Sequence, residues 1–301
     1  MASGKRSPRG SRPGEHRFGG NWTEQKLSVL EKYLAAYTKA LKNTPFKTAY
    51  IDAFAGTGYR TEREEGVVGS PFLFGDLIAE EPQQLLDGSV ARALRVDPPF
   101  HTYIFIEKSA DRAKSLEIVR NQHSEKDIRI KEGDANDVIR GLCNANWSKH
   151  RAVLFLDPYG MQVEWDTVKA VADTQAIDMW LLFPLGIGVN RLLPRSGKIP
   201  EGWRRRLDLF LGTSDWYDAF YHVEREPTLF GDEEFVVKAT HEAIGRYFVN
   251  RLESVFAGVS KNPLVLKNSA SCPLYLFCFA AGNPKGAPIA LKIADHLLRT
   301  M

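Results

Sequence analysis

The commoner signatures of chemistry are missing from this chain. Its 301 residues hold three cysteines, Cys143, Cys272 and Cys278. They are odd in number, scattered and without zinc spacing, so neither a disulfide framework nor a metal centre organises the fold. Cys272 and Cys278 lie in or beside an apolar stretch and read as reduced core thiols of a cytoplasmic protein. No run of about eighteen apolar residues occurs, so no membrane-spanning helix is expected. The opening residues, Met1 to Gly10, lack an apolar h-region, and no secretory leader is expected from them. Neither sign of charge is in excess: 40 Lys and Arg against 37 Asp and Glu leave +3. That balance permits a nucleic-acid partner without requiring one. Two glycine motifs are also absent. A P-loop needs Gly-Lys-Ser/Thr, and Gly58 is followed by Tyr59 and Arg60. A dinucleotide fingerprint needs a third glycine where Thr61 stands.

What the chain does have is a series of short apolar runs, each ending in a polar turn. Ala49 to Phe54 reads as a buried parallel strand. It breaks into Ala55-Gly56-Thr57-Gly58, where glycine lets the backbone turn tightly and approach a ligand. Thr102 to Glu107 is a second apolar strand, closed by an acid and followed by an amphipathic segment, Ala110 to Gln122. Ile128 to Ala135 holds a short strand ending in Gly133-Asp134. Arg151 to Gly160 runs through five apolar residues into Asp157-Pro158-Tyr159-Gly160, and Ile177 to Pro184 is a fifth strand. Strands alternate with helical segments, so the class is α/β with a parallel sheet. A carboxylate at the tip of the strand after a glycine loop suits two vicinal hydroxyls, because it offers only acceptors. Glu107 has that position. Each acid also has a plain structural reading, as a solvated turn residue or a helix cap. The functional reading rests on their order along successive strands.

The pattern Asp52-x-Phe54-x-Gly56-x-Gly58 resembles motif I of class I S-adenosylmethionine (SAM) methyltransferases. That resemblance implies a cofactor-binding set of Asp52, Phe54, Ala55, Gly56, Gly58, Glu107, Asp134 and Ala135, with Glu107 on the ribose and Asp134 on the adenine amine. Two segments are look-alikes of the amino-methyltransferase tetrapeptide. Asp97-Pro98-Pro99-Phe100 leads into a strand rather than leaving one. Asn283-Pro284-Lys285-Gly286 follows a strand expected to be antiparallel. Both read as turns.

Residues 1–20 are rich in Gly, Pro, Ser and Arg and read as a disordered basic tail. The domain is expected over 21–301. It opens with a Thr23 N-cap and a helix whose Leu27, Leu30, Tyr33, Leu34, Tyr37 and Leu41 share one face. Insertions are expected at about 59–100, with a helix near Pro71 to Glu80, and at 188–234, the second read as helical. The latter carries Arg191, Arg195, Lys198 and Arg204-Arg205-Arg206, near Trp203, Trp216 and Tyr217. Two readings stand for it: a nucleic-acid surface of guanidinium groups and stacking rings, or a charged helix face over an apolar stripe. A helix from Glu234 to Phe256, strands at Leu264 to Lys267 and Leu274 to Ala281, and an end helix from Ala287 to Arg299 complete the chain.

Several of these pieces together resemble the three-Cys-motif partner proteins (TcmP). They are Trp22-Thr23-Glu24-Gln25-Lys26-Leu27 with Lys32-Tyr33-Leu34, Tyr50 to Gly58, Gly69-Ser70-Pro71, Phe105-Ile106-Glu107-Lys108, Phe155 to Gly160, and Phe279 to Gly286. The resemblance spans Trp22 to the last helix. It implies a Rossmann-like methyltransferase sheet with helices on both faces, and pairing with a separate three-cysteine protein. Asp157, Pro158 and Tyr159 are the expected catalytic residues: the carboxylate and the proline carbonyl toward an amine, the ring on a base. The sequence departs from the full tetrapeptide, since Tyr159 stands at the second proline and Gly160 where the stacking residue belongs. The leading expectation is a SAM-dependent methyltransferase acting on a nucleic-acid amine. A non-catalytic SAM-binding or scaffold subunit is the alternative, and an unrelated nucleotide-binding α/β enzyme a third.

Overall fold

The computed structural model describes residues 21–56, 88–158, 160–228 and 231–300. Helix α1 (Asn21–Leu41) opens it. Leu27, Leu30, Tyr33, Leu34 and Tyr37 are buried on one face, as their spacing predicts. The helix starts two residues before Thr23, which therefore lies in its first turn and does not cap it. The Trp22 ring packs on Tyr275 with centroids 4.9 Å apart, which gives the earlier residues a packing reason to be helical.

Five strands follow in parallel: β1 (Lys47–Asp52), β2 (Thr102–Glu107), β3 (Ile128–Glu132), β4 (His150–Leu156) and β5 (Ile177–Phe183). Between them lie α2 (Ser89–Arg95), α3 (Ala110–Gln122), α4 (Ala135–Cys143) and α5 (Trp165–Asp173). After β5 come α6 (Glu201–Leu211), α7 (Trp216–Phe220) and a separate ribbon of β6 (Tyr221–Thr228) with β7 (Gly231–Lys238). The chain ends with α8 (His241–Glu253), β8 (Gly258–Val259), β9 (Leu264–Lys267), β10 (Pro273–Ala281) and α9 (Ala287–Arg299). The sheet order is β3-β2-β1-β4-β5-β10-β8, with β9 also on β10, and β10 runs antiparallel to β5. This is a Rossmann-like methyltransferase topology with helices on both faces.

The period of two along each strand sorts side chains between two cores. Ile51, Ile104, Leu154, Met179 and Leu181 face α4 to α8. Tyr50, Tyr103, Phe105, Phe155 and Trp180 face α1, α2, α3 and α9. Each fully buried side chain of this size contributes on the order of 2 kcal/mol.

The second insertion is not purely helical. Residues 234–238, expected to begin a long helix, instead pair as β7 against β6, with Val236 opposite Val223. β-branched residues favour that pairing. The helix waits for Thr240, whose hydroxyl accepts from the Ala243 amide at 3.2 Å. Gly212 closes α6 in the left-handed region (φ +69°), where a Cβ would lie 2.0 Å from the Trp165 ring. The expected tail over 1–20 and the helix near 71–80 lie outside the described residues.

Candidate active site

β1 has β2 on one side and β4 on the other, so successive connections diverge there. Diverging loops open a crevice at the carboxyl ends of such strands. The turn after β1 is fastened to both neighbours: the Ala53 amide donates to Phe155 O and the Ala55 amide to Ile106 O, each at 3.1 Å. Gly56 then passes under Glu107, where a Cβ would lie 1.7 Å from Glu107 Oε2. The close approach requires glycine. Glu107 is buried, and its Oε1 accepts from the Ser109 amide at 2.7 Å and from Arg112 Nε at 2.9 Å. The glycine turn and the strand-end acid thus touch.

The other expected cofactor residues are less uniform. Asp52 lies beneath the crevice with 0% exposure. Its Oδ1 accepts from the Phe54 amide at 3.2 Å and its Oδ2 from the Tyr50 hydroxyl at 3.1 Å, so it shapes the turn from below. Burial pushes its carboxyl up to about 6, against the Ser89 and Phe54 hydrogen bonds and with a smaller push from the Asp157 charge. Phe54 and Ala55 belong to the turn, Phe54 partly open and Ala55 buried. Asp134 caps α4: its Oδ1 accepts from the Asn136 amide at 3.0 Å, while Lys108 Nζ stands 3.7 Å from Oδ2. Ala135 is the first residue of that helix. Gly58 and Tyr159 lie outside the described residues.

Asp157 follows the last residue of β4, with Pro158 buried beside it. Its Oδ2 accepts from Lys26 Nζ at 2.7 Å, across 131 residues of sequence. The Lys26 side chain is 2% exposed and the Asp157 side chain 16%. The ammonium also lies over the Trp22 ring, 4.7 Å from its centroid. Sequence reasoning gave Lys26 no role of its own beyond its place in the Trp22-to-Leu27 segment. A signal was available: Lys26, Leu30, Tyr33 and Tyr37 recur at helical spacing, which puts a lysine on an apolar face. A buried lysine needs a partner anion.

Three aromatic residues expected to stack on bases serve the protein's own packing instead. Trp216 is fully buried with its Nε1 donating to Asp208 at 2.7 Å, and Trp203 packs against the cluster around Leu207 and Phe210. Tyr217 donates to Gly197 O at 3.0 Å, and the Arg204 guanidinium lies 4.9 Å from its ring centroid. They offer no open stacking platform, whereas Arg195, Lys198, Arg205 and Arg206 are exposed. Both look-alike tetrapeptides lie at the far edge. Phe100 leads into β2, and Asn283 builds the turn into α9 by accepting from the Lys285 and Gly286 amides at 3.0 Å. Among the described residues no His, Cys, Asp or Glu cluster could hold a metal ion, and no helix is long and apolar enough to cross a membrane.

No family model and no curated protein matches this sequence. Several solved structures are similar to it. Protein LPL1258 from Legionella pneumophila is 14% identical with a TM-score of 0.46, over 94% of this chain and 93% of that one. The putative methyltransferase YhhF from Escherichia coli is 13% identical with a TM-score of 0.29, over 78% of this chain and 90% of that one. The N-terminal domain of EvdMO1, solved with SAH bound, is 11% identical with a TM-score of 0.39, over 84% and 81%. Likeness at this level says nothing of chemistry, and the fold assignment rests on the strand order itself.

Proposed function

We propose that this chain is a SAM-dependent methyltransferase whose acceptor is an exocyclic amine of a nucleic acid. The observation that carries the cofactor reading is the contact of Gly56 with Glu107 at the switch point of the sheet. The Glu107 carboxylate itself fills the space a Cβ at position 56 would take, so an anchored strand-end acid is held against the glycine turn, an arrangement that fits a ligand with vicinal hydroxyls. Glu107 would hold the ribose, the 53–56 turn would face the amino-acid end, and the Asp134 region would face the adenine. SAM supplies a sulfonium methyl whose bond electrons stay on sulfur. As the acceptor nitrogen takes up that methyl, Asp157 would accept its proton and pass it to water. Asp157 aligns that nitrogen.

Exposed Arg195, Lys198, Arg205 and Arg206 follow β5, whose carboxyl end belongs to the same edge of the sheet. They support phosphate contact by charge. The resemblance to three-Cys-motif partner proteins supports a separate three-cysteine protein as the functional companion. A second reading, a SAM-binding scaffold subunit, is favoured by one observation: Oδ2 of Asp157 is already occupied by Lys26.

Calorimetry with SAM, followed by tritiated-methyl transfer to RNA, DNA and protein fractions, tests the proposal. Micromolar affinity, on the order of 8 kcal/mol, is expected. Glu107→Ala should weaken it by roughly 1.5–3 kcal/mol through lost charged hydrogen bonds. Asp157→Asn should keep SAM affinity and lower turnover about a hundredfold. SAM binding without transfer to any fraction favours the scaffold, and no SAM binding sinks both readings.

A further inference from the structure

The Lys26–Asp157 pair divides the labour of one carboxylate. Oδ2 is held at 2.7 Å by an ammonium that is itself locked between the carboxylate and the Trp22 ring. Trp22 in turn packs on Tyr275 of β10, so the first turn of α1 is fixed to the sheet. Oδ1 has no hydrogen-bond donor among the described residues, and the Asp157 side chain keeps 16% of its surface open. One oxygen is therefore held by Lys26, and the other has no donor among the described residues.

We infer that Lys26 is a positioning residue that fixes Asp157 and compensates its charge, so that the remaining oxygen selects a neutral N–H or O–H donor over a cationic amine. The inference rests on the reading of Asp157 as the acceptor-side carboxylate. Its physics is simple. A carboxylate alone attracts an alkylammonium at least as well as a neutral amine. A carboxylate already paired with an ammonium is part of a net-neutral couple. A second cation at Oδ1 meets the Lys26 charge across a few ångströms of weakly screened interior, whereas a neutral donor still finds a charged acceptor and no repulsion. Neutral exocyclic amines and amides are thereby admitted, and lysine-type amines are turned away. Discrimination of this kind comes from the repulsive element as much as from the attractive one.

The experiment pairs tritiated SAM with two acceptors of stated chemistry, a mixed-sequence single-stranded RNA and a lysine-rich polypeptide. Wild type, Lys26→Arg, Lys26→Met and the double variant Lys26→Met/Asp157→Asn are compared. The double variant removes both charges together and guards against a Lys26→Met protein that fails to fold. SAM affinity is measured first on each. The wild type should label the neutral nucleobase amines and leave the polypeptide unlabelled. Lys26→Arg should retain most of that transfer, because it restores the cation. Lys26→Met should lose on the order of a hundredfold in kcat with SAM affinity changed less than about threefold. Its residual transfer should shift toward the lysine acceptor. Wild-type labelling of lysine, SAM binding without transfer to the neutral amines, or a Lys26→Met enzyme with full turnover and unchanged preference each overturns the inference. Absence of SAM binding by the wild type fails the underlying cofactor reading instead, and the two failures are told apart by the calorimetry.

Discussion

Gly56→Ala is the most direct perturbation of the crevice. The added methyl would lie 1.7 Å from Glu107 Oε2 and 2.5 Å from its Cδ, so something must move. Glu107 is not a loose end, since Ser109 N at 2.7 Å and Arg112 Nε at 2.9 Å both bond its Oε1. Swinging it away sacrifices charged hydrogen bonds worth about 1.5–3 kcal/mol. Shifting the turn instead strains the Ala53 and Ala55 amide bonds to Phe155 and Ile106. Overpacking of such a site costs about 1–3 kcal/mol. These are alternative routes rather than a sum, and the expected loss is about 2 kcal/mol. At about 2–4 °C per kcal/mol for a chain of this size, Tm should fall by about 4–8 °C. SAM affinity should drop at least about tenfold, because Glu107 and the turn are displaced together. Gly141→Ala is the control: Gly141 is an exposed residue of α4 with nothing within 4 Å of a Cβ, and it should gain about 0.5–1 kcal/mol. Thermal melts and calorimetry read both effects. A Gly56→Ala protein that melts with the wild type and binds SAM as tightly refutes the packing of Glu107 on the turn.

Asp52 makes stability depend on pH. Its carboxyl is raised from 3.8 to about 6 by burial, so the folded state favours the protonated form. That contribution is fully present below pH 3.8 and is lost as pH rises through about 6. Relative to Asp52→Asn, the wild type should lose up to about 3 kcal/mol of stability between those limits, and parallel denaturant-unfolding curves for the two proteins across that window would falsify the account. The cysteines should react in order of exposure. Cys272, expected in the core, is exposed instead, because it lies in the turn before β10; burial pushes the Cys143 thiol up to about 11 and the Cys278 thiol far above its ordinary value. An aromatic disulfide reagent near pH 8 should modify Cys272 first and Cys278 only on unfolding, and rapid labelling of Cys278 in the native protein contradicts the packing of β10.

Alternating apolar runs and polar turns were enough to read the five parallel strands, the antiparallel strand after them and the last helix. Local periodicity and the packing it permits agree in those segments: Thr102–Glu107, Ile177–Phe183 and Ala287–Arg299 are each apolar where they face a core. Residues at strand ends were legible for the same reason, because parallel strands carry their carboxyl ends to one edge. The ribbon at 221–238 was misread because its charged residues suit an exposed helix as well as an exposed strand. Only the pairing of Val223 with Val236 and the cap at Thr240 decide between them.

The roles of the acids were the part that composition and spacing left open. Asp52, Asp134 and Asp157 look alike in sequence, each an acid at the end of a strand. The fold turns the first into a buried brace, the second into a helix cap, and the third into one half of an ion pair. The lysine that completes the pair comes from a helix 131 residues away in sequence. Hydrophobic periodicity acts between neighbours along the chain, so the sequence alone determined the five parallel strands, the last helix and which edge the strands' polar ends share. A charge partner is set by distance in space, so tertiary packing alone decided that Lys26 meets Asp157 and that Glu107 closes over Gly56.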